Sequence, residues 1–224
     1  MPDSPLHVAV MYQRKDVIDL LIAQGADVNA PDTQGMTALQ HALDLGGFLP
    51  DYDAPGMVAF LRSRGAQDDI YTLMWGGADE DFAAFLRDHP EAANAKSLDG
   101  ATPLCLVGSV ERTRLLLAHG ANLHARIESD SGMTSPIQFV ARFPKTGVLR
   151  FFLEQAGIAI DPFLACVLGE IERVLAAIQT DPELAHARTG AGHPLGEDIA
   201  LLHLAVHYGH EQVVTALLDR GANV

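Results

Sequence analysis

Apolar residues recur along this chain in short bursts at helical spacing, and most bursts are closed by a glycine or a proline. The stretch Ile199–Val224 is the clearest case. Its pattern predicts one helix over Leu201–Tyr208, stopped at Gly209, where a residue without Cβ enters the left-handed conformation freely. A second helix is predicted over Glu211–Arg220, with Val213, Val214, Leu217 and Leu218 on one face, stopped at Gly221. Neither helix is long enough to hold together alone in water. Each must bury its apolar face on a neighbour, and the chain supplies neighbours by repeating the pattern.

Earlier copies carry the same landmarks. One runs through Leu6-His7-Val8-Ala9, Val17-Ile18-Asp19-Leu20-Leu21 and Gly25-Ala26-Asp27-Val28-Asn29. Another runs through Asp32-Thr33-Gln34-Gly35-Met36-Thr37-Ala38-Leu39 and Val58-Ala59-Phe60-Leu61 to Gly65-Ala66. A third has Asp99-Gly100-Ala101-Thr102-Pro103-Leu104, Leu115-Leu116-Leu117 and Gly120-Ala121-Asn122. These copies resemble the ankyrin repeat, in which a D-x-x-G-x-T-P-L-H-x-A element is followed by an apolar helix ending in G-A, with a period of roughly 33 residues. The T-P-L-H element stands here as Ser4-Pro5-Leu6-His7, Thr37-Ala38-Leu39-Gln40, Thr102-Pro103-Leu104-Cys105, Ser135-Pro136-Ile137-Gln138 and Ala200-Leu201-Leu202-His203.

Two copies depart from that form and resemble each other. Asp69–Gly77 leads to Phe82-Ala83-Ala84-Phe85-Leu86 and Asp88-His89-Pro90-Glu91; Asp161–Gly169 leads to Val174–Ile178 and Asp181-Pro182-Glu183. Proline replaces the glycine stop, because the residue before proline avoids the helical region. Such ends resemble those of bacterial members of the family, so a bacterial source is expected. The resemblance implies an all-α solenoid of about seven helix–turn–helix units with short hairpin or turn fingers. The units run over about 1–30, 31–68, 69–95, 96–125, 126–160, 161–188 and 189–224, and a single repeat domain spans 1–224.

Local departures are also predicted. Ser4 should cap the first helix with Pro5 at its first position. A loop is expected over Leu45–Gly56, and a single-turn first helix after Leu104. Arg126–Gly132 should form an extended finger, Phe143-Pro144-Lys145-Thr146-Gly147 a turn between helices, and Thr189–Gly196 a loose glycine-rich link. The last unit keeps Val213, Val214, Leu217 and Leu218 where a terminal unit should be polar outside. This predicts that a longer natural chain continues past Val224, or that a partner covers that end.

Composition narrows function. The formal net charge of −14 opposes binding to nucleic acid or to an anionic membrane surface. Acidic residues gather in connections such as Asp79-Glu80-Asp81, where solubility and helix capping account for them and a basic partner is an alternative. Cys105 and Cys166 lie in separate units on apolar helices, which suits buried reduced thiols and a cytoplasmic setting. The N-terminus has no signal-peptide pattern, and no apolar run is long enough to span a bilayer.

The chain has no G-x-S-x-G, P-loop or H-E-x-x-H motif, so no catalytic, cofactor or metal site is expected. His203, His207 and His210 share helical spacing, but Gly209 should break the helix before His210. His7 and His203 sit at the motif histidine, whose imidazole in this family braces the turn. The family resemblance implies a non-enzymatic scaffold, a monomer that holds another protein on its concave face. Mapped onto this chain, the exposed ends of the first helices offer Tyr12, Leu45, Trp75, His207 and Tyr208. The finger tips offer Gln34, Met36, Asp99 and Met133, beside Thr33, Leu98, Ala101 and Ser131. Aromatics and Met are frequent binding anchors. The opposing reading turns Trp75 inward as core. The alternative function is a regulatory or targeting segment of a larger enzyme or bacterial effector.

Overall fold

The computed structural model describes residues 4–97, 99–129, 132–141 and 146–223. The predicted turn at Phe143-Pro144-Lys145, the tip residues Leu98 and Ser131, and Val224 fall outside them. Seven pairs of α-helices are found among the described residues, one per predicted unit. The fold is all-α, of the ankyrin-repeat solenoid class. The chain divides into two bodies, residues 1–99 and residues 100–224.

In the N-terminal body the first helices of each pair are α1 (Pro5–Met11), α3 (Ala38–Phe48) and α5 (Ile70–Gly76). They lie side by side, α1 against α3 and α3 against α5. Their partners are α2 (Lys15–Ala23), α4 (Ala54–Ser63) and α6 (Asp79–Asp88). Leu6, Val10, Ile18, Leu39, Met57 and Leu61 are buried together as the core of the first two pairs. Every start in the α1–α3–α5 row has a side-chain cap. Ser4 Oγ accepts from the Leu6 N–H at 3.3 Å, ahead of Pro5. Thr37 and Gln40 form a reciprocal capping box, and so do Asp69 and Thr72.

The aspartate of the D-x-x-G turn has a visible task. Asp32 Oδ1 accepts from the Gln34 and Met36 N–H groups at 2.8 and 3.0 Å, and Gly35 takes a φ of 83° between them. The expected loop at Leu45–Gly56 is much shorter, because α3 continues through both glycines to Phe48. A Cβ on Gly46 would come within 2.4 Å of the Ala54 Cβ. Glycine costs about 1 kcal/mol inside a helix, but here it lets the last turn of α3 lie against the start of α4. The remaining connection is pinned to the first pair. Tyr52 Oη donates to the Val10 carbonyl at 2.9 Å, and Gln13 Oε1 accepts from the Asp53 N–H at 3.1 Å.

The C-terminal body holds α7 (Pro103–Leu106), a single turn as predicted, with α8 (Val110–Ala118). Next come the antiparallel strands β1 (Ile127–Ser129) and β2 (Gly132–Thr134), paired Ile127 to Thr134 and Ser129 to Gly132, which are the predicted finger. The remaining pairs are α9 (Pro136–Ala141) with α10 (Thr146–Gln155), α11 (Pro162–Val167) with α12 (Ile171–Thr180), and α13 (Leu201–His207) with α14 (Glu211–Leu218). First helices pack on first helices, α7 on α9 and α11 on α13, and second helices on second, α8 on α10 and α12 on α14. The aspartate–proline segments at the ends of α6 and α12 form 3-10 turns, Pro90–Asn94 and Pro182–Ala185, in place of the glycine stop.

The link predicted to be loose is instead a folded strap. The Thr189 N–H donates to the Ile199 carbonyl, the Asp198 N–H to the Thr189 carbonyl, and the Ile199 N–H to Thr189 Oγ1. His193 ties it down, its Nε2 donating to Asp161 Oδ2 at 2.8 Å and its Nδ1 accepting from the Leu195 N–H at 3.1 Å. That aspartate also caps α11 through the Leu164 N–H.

Candidate interaction surface

In the N-terminal body the C-terminal ends of the first helices carry large side chains outward. Tyr12, directly after α1, is 70% exposed; Phe48, the last residue of α3, is 76% exposed; Trp75, in the last turn of α5, is 52% exposed. Contacts along the row hold these ends together. Tyr12 adjoins Gln13, which is bonded to the 51–53 connection, and Gly76 is so close to Leu43 of α3 that a Cβ there would lie 2.6 Å from a leucine methyl. Leu45 is half-buried beneath this row and packs against the core of the first two pairs. The inward alternative for Trp75 fails at its ring, while its neighbour Tyr71 is buried and donates to the Ala95 carbonyl at 2.9 Å. Phe48 is not legible as an anchor in the sequence, where Gly46-Gly47 before it and Pro50 after it point to a loop.

The finger tips of this body are mixed. Gln34 and Thr33 are exposed, Met36 is half-buried, and Asp99 is exposed with Ser97 Oγ donating to it at 2.8 Å. Behind the 32–36 turn lies a buried polar cluster that sequence reading missed in part. His7 Nε2 donates to the Met36 carbonyl at 3.0 Å, which is the bracing role expected of the motif histidine. His41 packs edge-on against His7 with ring centres 5.1 Å apart and donates from Nε2 to Asp32 Oδ2 at 2.8 Å. Burial pushes the Asp32 carboxyl up, but the bonds from His41, Met36 and Gln34 outweigh it and hold it below its usual range. His7 is held below its ordinary value of 6.5, chiefly by burial and next by His41.

In the C-terminal body the corresponding residues are used differently. Tyr208 follows α13 as Tyr12 follows α1, but it is half-buried and its hydroxyl donates to the Ala141 carbonyl of α9. His207 is exposed and meets the Tyr208 ring edge-on at 4.8 Å. His210 lies parallel to that ring and donates from Nε2 to the Cys166 carbonyl at 2.8 Å. His203 does not brace a turn; it is exposed. Ala101, expected at a finger tip, is buried beside Cys105 and Ile127. Met133 lies in β2 with its backbone opposite Glu128.

Two further features of this body bear on chemistry. The strap walls a cleft of about 570 Å³, floored by Ile137 and Ile158 and edged by His124, Arg126, His193 and Glu197. Both cysteines are buried, and burial pushes the Cys166 thiol up to about 12, which keeps it protonated and unreactive. Among the described residues no group of three or more His, Cys, Asp or Glu gathers as a metal ligand set. No described helix is long and apolar enough to cross a membrane.

Comparison with known proteins settles the family. Residues 6–51 match the model described as ankyrin repeats in many copies, and residues 199–224 match the ankyrin repeat. The chain is an ankyrin-repeat protein. Such repeats are in general protein-interaction modules rather than catalytic ones. Human ankyrin repeat and SOCS box protein 6 is 28% identical over 186 residues, covering 67% of this chain and 42% of that protein. The mouse B-cell lymphoma 3 protein homolog is 29% identical over 149 residues, covering 57% and 31%. The crystal structure of the human ASB11 ankyrin repeat domain aligns over 98% of this ankyrin chain and 85% of its own, at 21% identity and a TM-score of 0.38. The chain thus spans about two fifths of the length of the first of these curated relatives.

Proposed function

We propose that this ankyrin-repeat protein is a non-enzymatic scaffold that holds another protein against the exposed ends of its first helices and its finger tips. The observation that carries this reading is the row Tyr12, Phe48 and Trp75. Three large rings stand in solvent on adjacent helices, in a body whose other large apolar side chains are mostly buried. Aromatic residues in water are an energetic liability that partner binding removes, and they are the side chains most often found as interface anchors. Gln34, Met36, Asp99 and Leu45 belong to the same proposed surface. In the C-terminal body Met133 and His207 are the corresponding candidates, and Tyr208 serves chiefly to support His207.

The scaffold acts as a monomer in the cytoplasm, and its net charge of −14 disfavours nucleic acid and anionic membranes as partners. We read the seven helix pairs as one domain; chemical denaturation with coincident transitions by all probes is the expected result, and separate transitions for residues 1–99 and 100–224 overturn it. A second reading is a regulatory or targeting segment within a larger protein. The lengths of the relatives favour it, since the matched region is 42% of one and 31% of another.

Affinity capture with wild type beside a Tyr12→Ala, Trp75→Ala double variant tests the scaffold reading. A protein recovered by wild type and lost with the variant, at unchanged circular dichroism and melting, is the expected result. Equal recovery by the folded variant overturns it.

A further inference from the structure

We propose that the first-helix ends of the N-terminal body dock a basic amphipathic helix of the partner protein, with Lys or Arg along its flanks and aliphatic or aromatic residues along its centre. This rests on reading that surface as a protein-binding one and adds the chemistry of what it binds. The argument begins with charge. Residues 1–99 carry six Lys and Arg against sixteen Asp and Glu, while residues 100–224 carry nine against thirteen. The excess is not spread evenly. No Lys or Arg stands between Lys15 and Arg62, nor between Arg64 and Arg87, and these two stretches build α3, the 49–53 connection, α5 and the start of α6.

Many acidic residues elsewhere in this body are already engaged. Asp16 pairs with Arg14, Asp19 with Arg64, Asp68 with Arg62, and Asp32 with His41. Asp69 caps α5 and accepts from Gln40 Nε2 at 2.6 Å. The nearest cations to Tyr12 are also occupied: Arg14 by its ion pair, and Lys15 by the face of the Phe60 ring, 5.6 Å from its centre. The carboxylates bordering the aromatic row are exposed instead. Asp44 stands on α3 one residue from Leu43, the side chain against Gly76. Asp51 lies in the connection that Gln13 holds beside Tyr12, and Glu80 and Asp81 open α6 just beyond Trp75.

An apolar strip rimmed mostly by carboxylates, with Arg14 and Lys15 at its Tyr12 end held by Asp16 and Phe60, suits a cationic amphipathic ligand. Size agrees. Three neighbouring helices at about 10 Å spacing span about 20 Å, which a helix of about 14 residues covers. The helix α3 exceeds α1 and α5 by one turn, 11 residues against 7. Phe48 therefore stands as a post on the middle helix of the row, against which such a helix would lie.

Trp75 is the chain's one tryptophan, so the site carries its own reporter. The probe is a synthetic Leu/Lys helical peptide of about 14 residues, titrated into the full chain beside its Leu/Glu counterpart. A blue shift of Trp75 emission that saturates at one peptide per chain is expected. It should weaken at least about tenfold between about 50 and about 500 mM salt, and be absent with the Leu/Glu peptide. The variant Asp44→Asn, Asp51→Asn, Glu80→Gln should weaken it about tenfold or more, whereas Asp88→Asn, Glu91→Gln, at and just past the far end of α6, should leave it unchanged. No shift, or a shift reduced equally by both variants, overturns the proposal. If the Leu/Lys peptide fails while the Tyr12→Ala, Trp75→Ala chain still loses its natural partner, the scaffold reading stands and the basic chemistry falls.

Discussion

The segments Leu6–Lys15 and Leu202–Glu211 are nearly the same sentence written twice, LHVAVMYQRK and LHLAVHYGHE, yet they bury different faces that share only the aligned Ala9 and Ala205. In α1 the buried residues are Leu6, His7, Ala9 and Val10; in α13 they are Leu201, Leu204 and Ala205. The cause is where the neighbour stands. The helix α1 has a first helix only on its following side, α3, and α13 only on its preceding side, α11, among the described residues. A repeat fold takes its stability from such nearest-neighbour faces. Thus His7 is covered by the Met36 carbonyl while His203 meets solvent, and Tyr208 reaches back to Ala141 while Tyr12 stands free. Position in the array decides whether a motif residue is core, brace or surface.

Paired substitutions break that comparison if it is wrong. The largest effect belongs to the valines. Val10 is fully buried and Val206 is 62% exposed. Val10→Ala should cost about 2 kcal/mol through lost burial and a residual cavity, and Val206→Ala less than about 0.5 kcal/mol, both read from urea denaturation. Next come the histidines. His7→Ala strands the Met36 carbonyl and should cost about 1–2 kcal/mol, whereas His203→Ala should be nearly silent. Equal costs at the two sites would end the neighbour argument.

The tyrosines give a smaller contrast. Tyr208→Phe removes one half-buried hydrogen bond and should cost about 1 kcal/mol; Tyr12→Phe should change stability little. The smallest effect is in pH. His7 has its folded-state pKa lowered from 6.5, so the unfolded chain takes up the proton first as pH falls. Stability is then full above about 6.5 and declines below it toward the lowered value. The variant His7→Gln should flatten this part of the pH profile by a few tenths of a kcal/mol or more. A wild-type profile that rises on acidification through this window would contradict the burial assigned to His7.

Much of this architecture is legible in the sequence because it is local. Ser4 with Pro5, Gly209 and the Leu/Val periodicity act through their own turn of chain, and the helices start and stop where those signals stand. The misses all depend on contacts beyond a single turn of chain. Gly46 and Gly47 read as loop because a helix interior normally excludes them; the approach of Ala54 gives Gly46 a use there. Thr189–Gly196 read as slack because its clasp, His193 on Asp161, spans 32 positions. Phe48 was hidden by the same error that ended α3 early. His41 and Asp32 meet across a turn whose motif names the aspartate but not its partner. In the interaction surface, Tyr12 and Trp75 were legible as large residues out of place, whereas the engagement of Tyr208 was not.

Acrylamide quenching of Trp75 tests the claim that the N-terminal body keeps its aromatic row open for a partner. In the free chain the indole, 52% exposed, should be readily quenched, and it should become protected when the captured partner is bound. A Trp75 already shielded in the free chain, or equally open in the complex, would contradict the account.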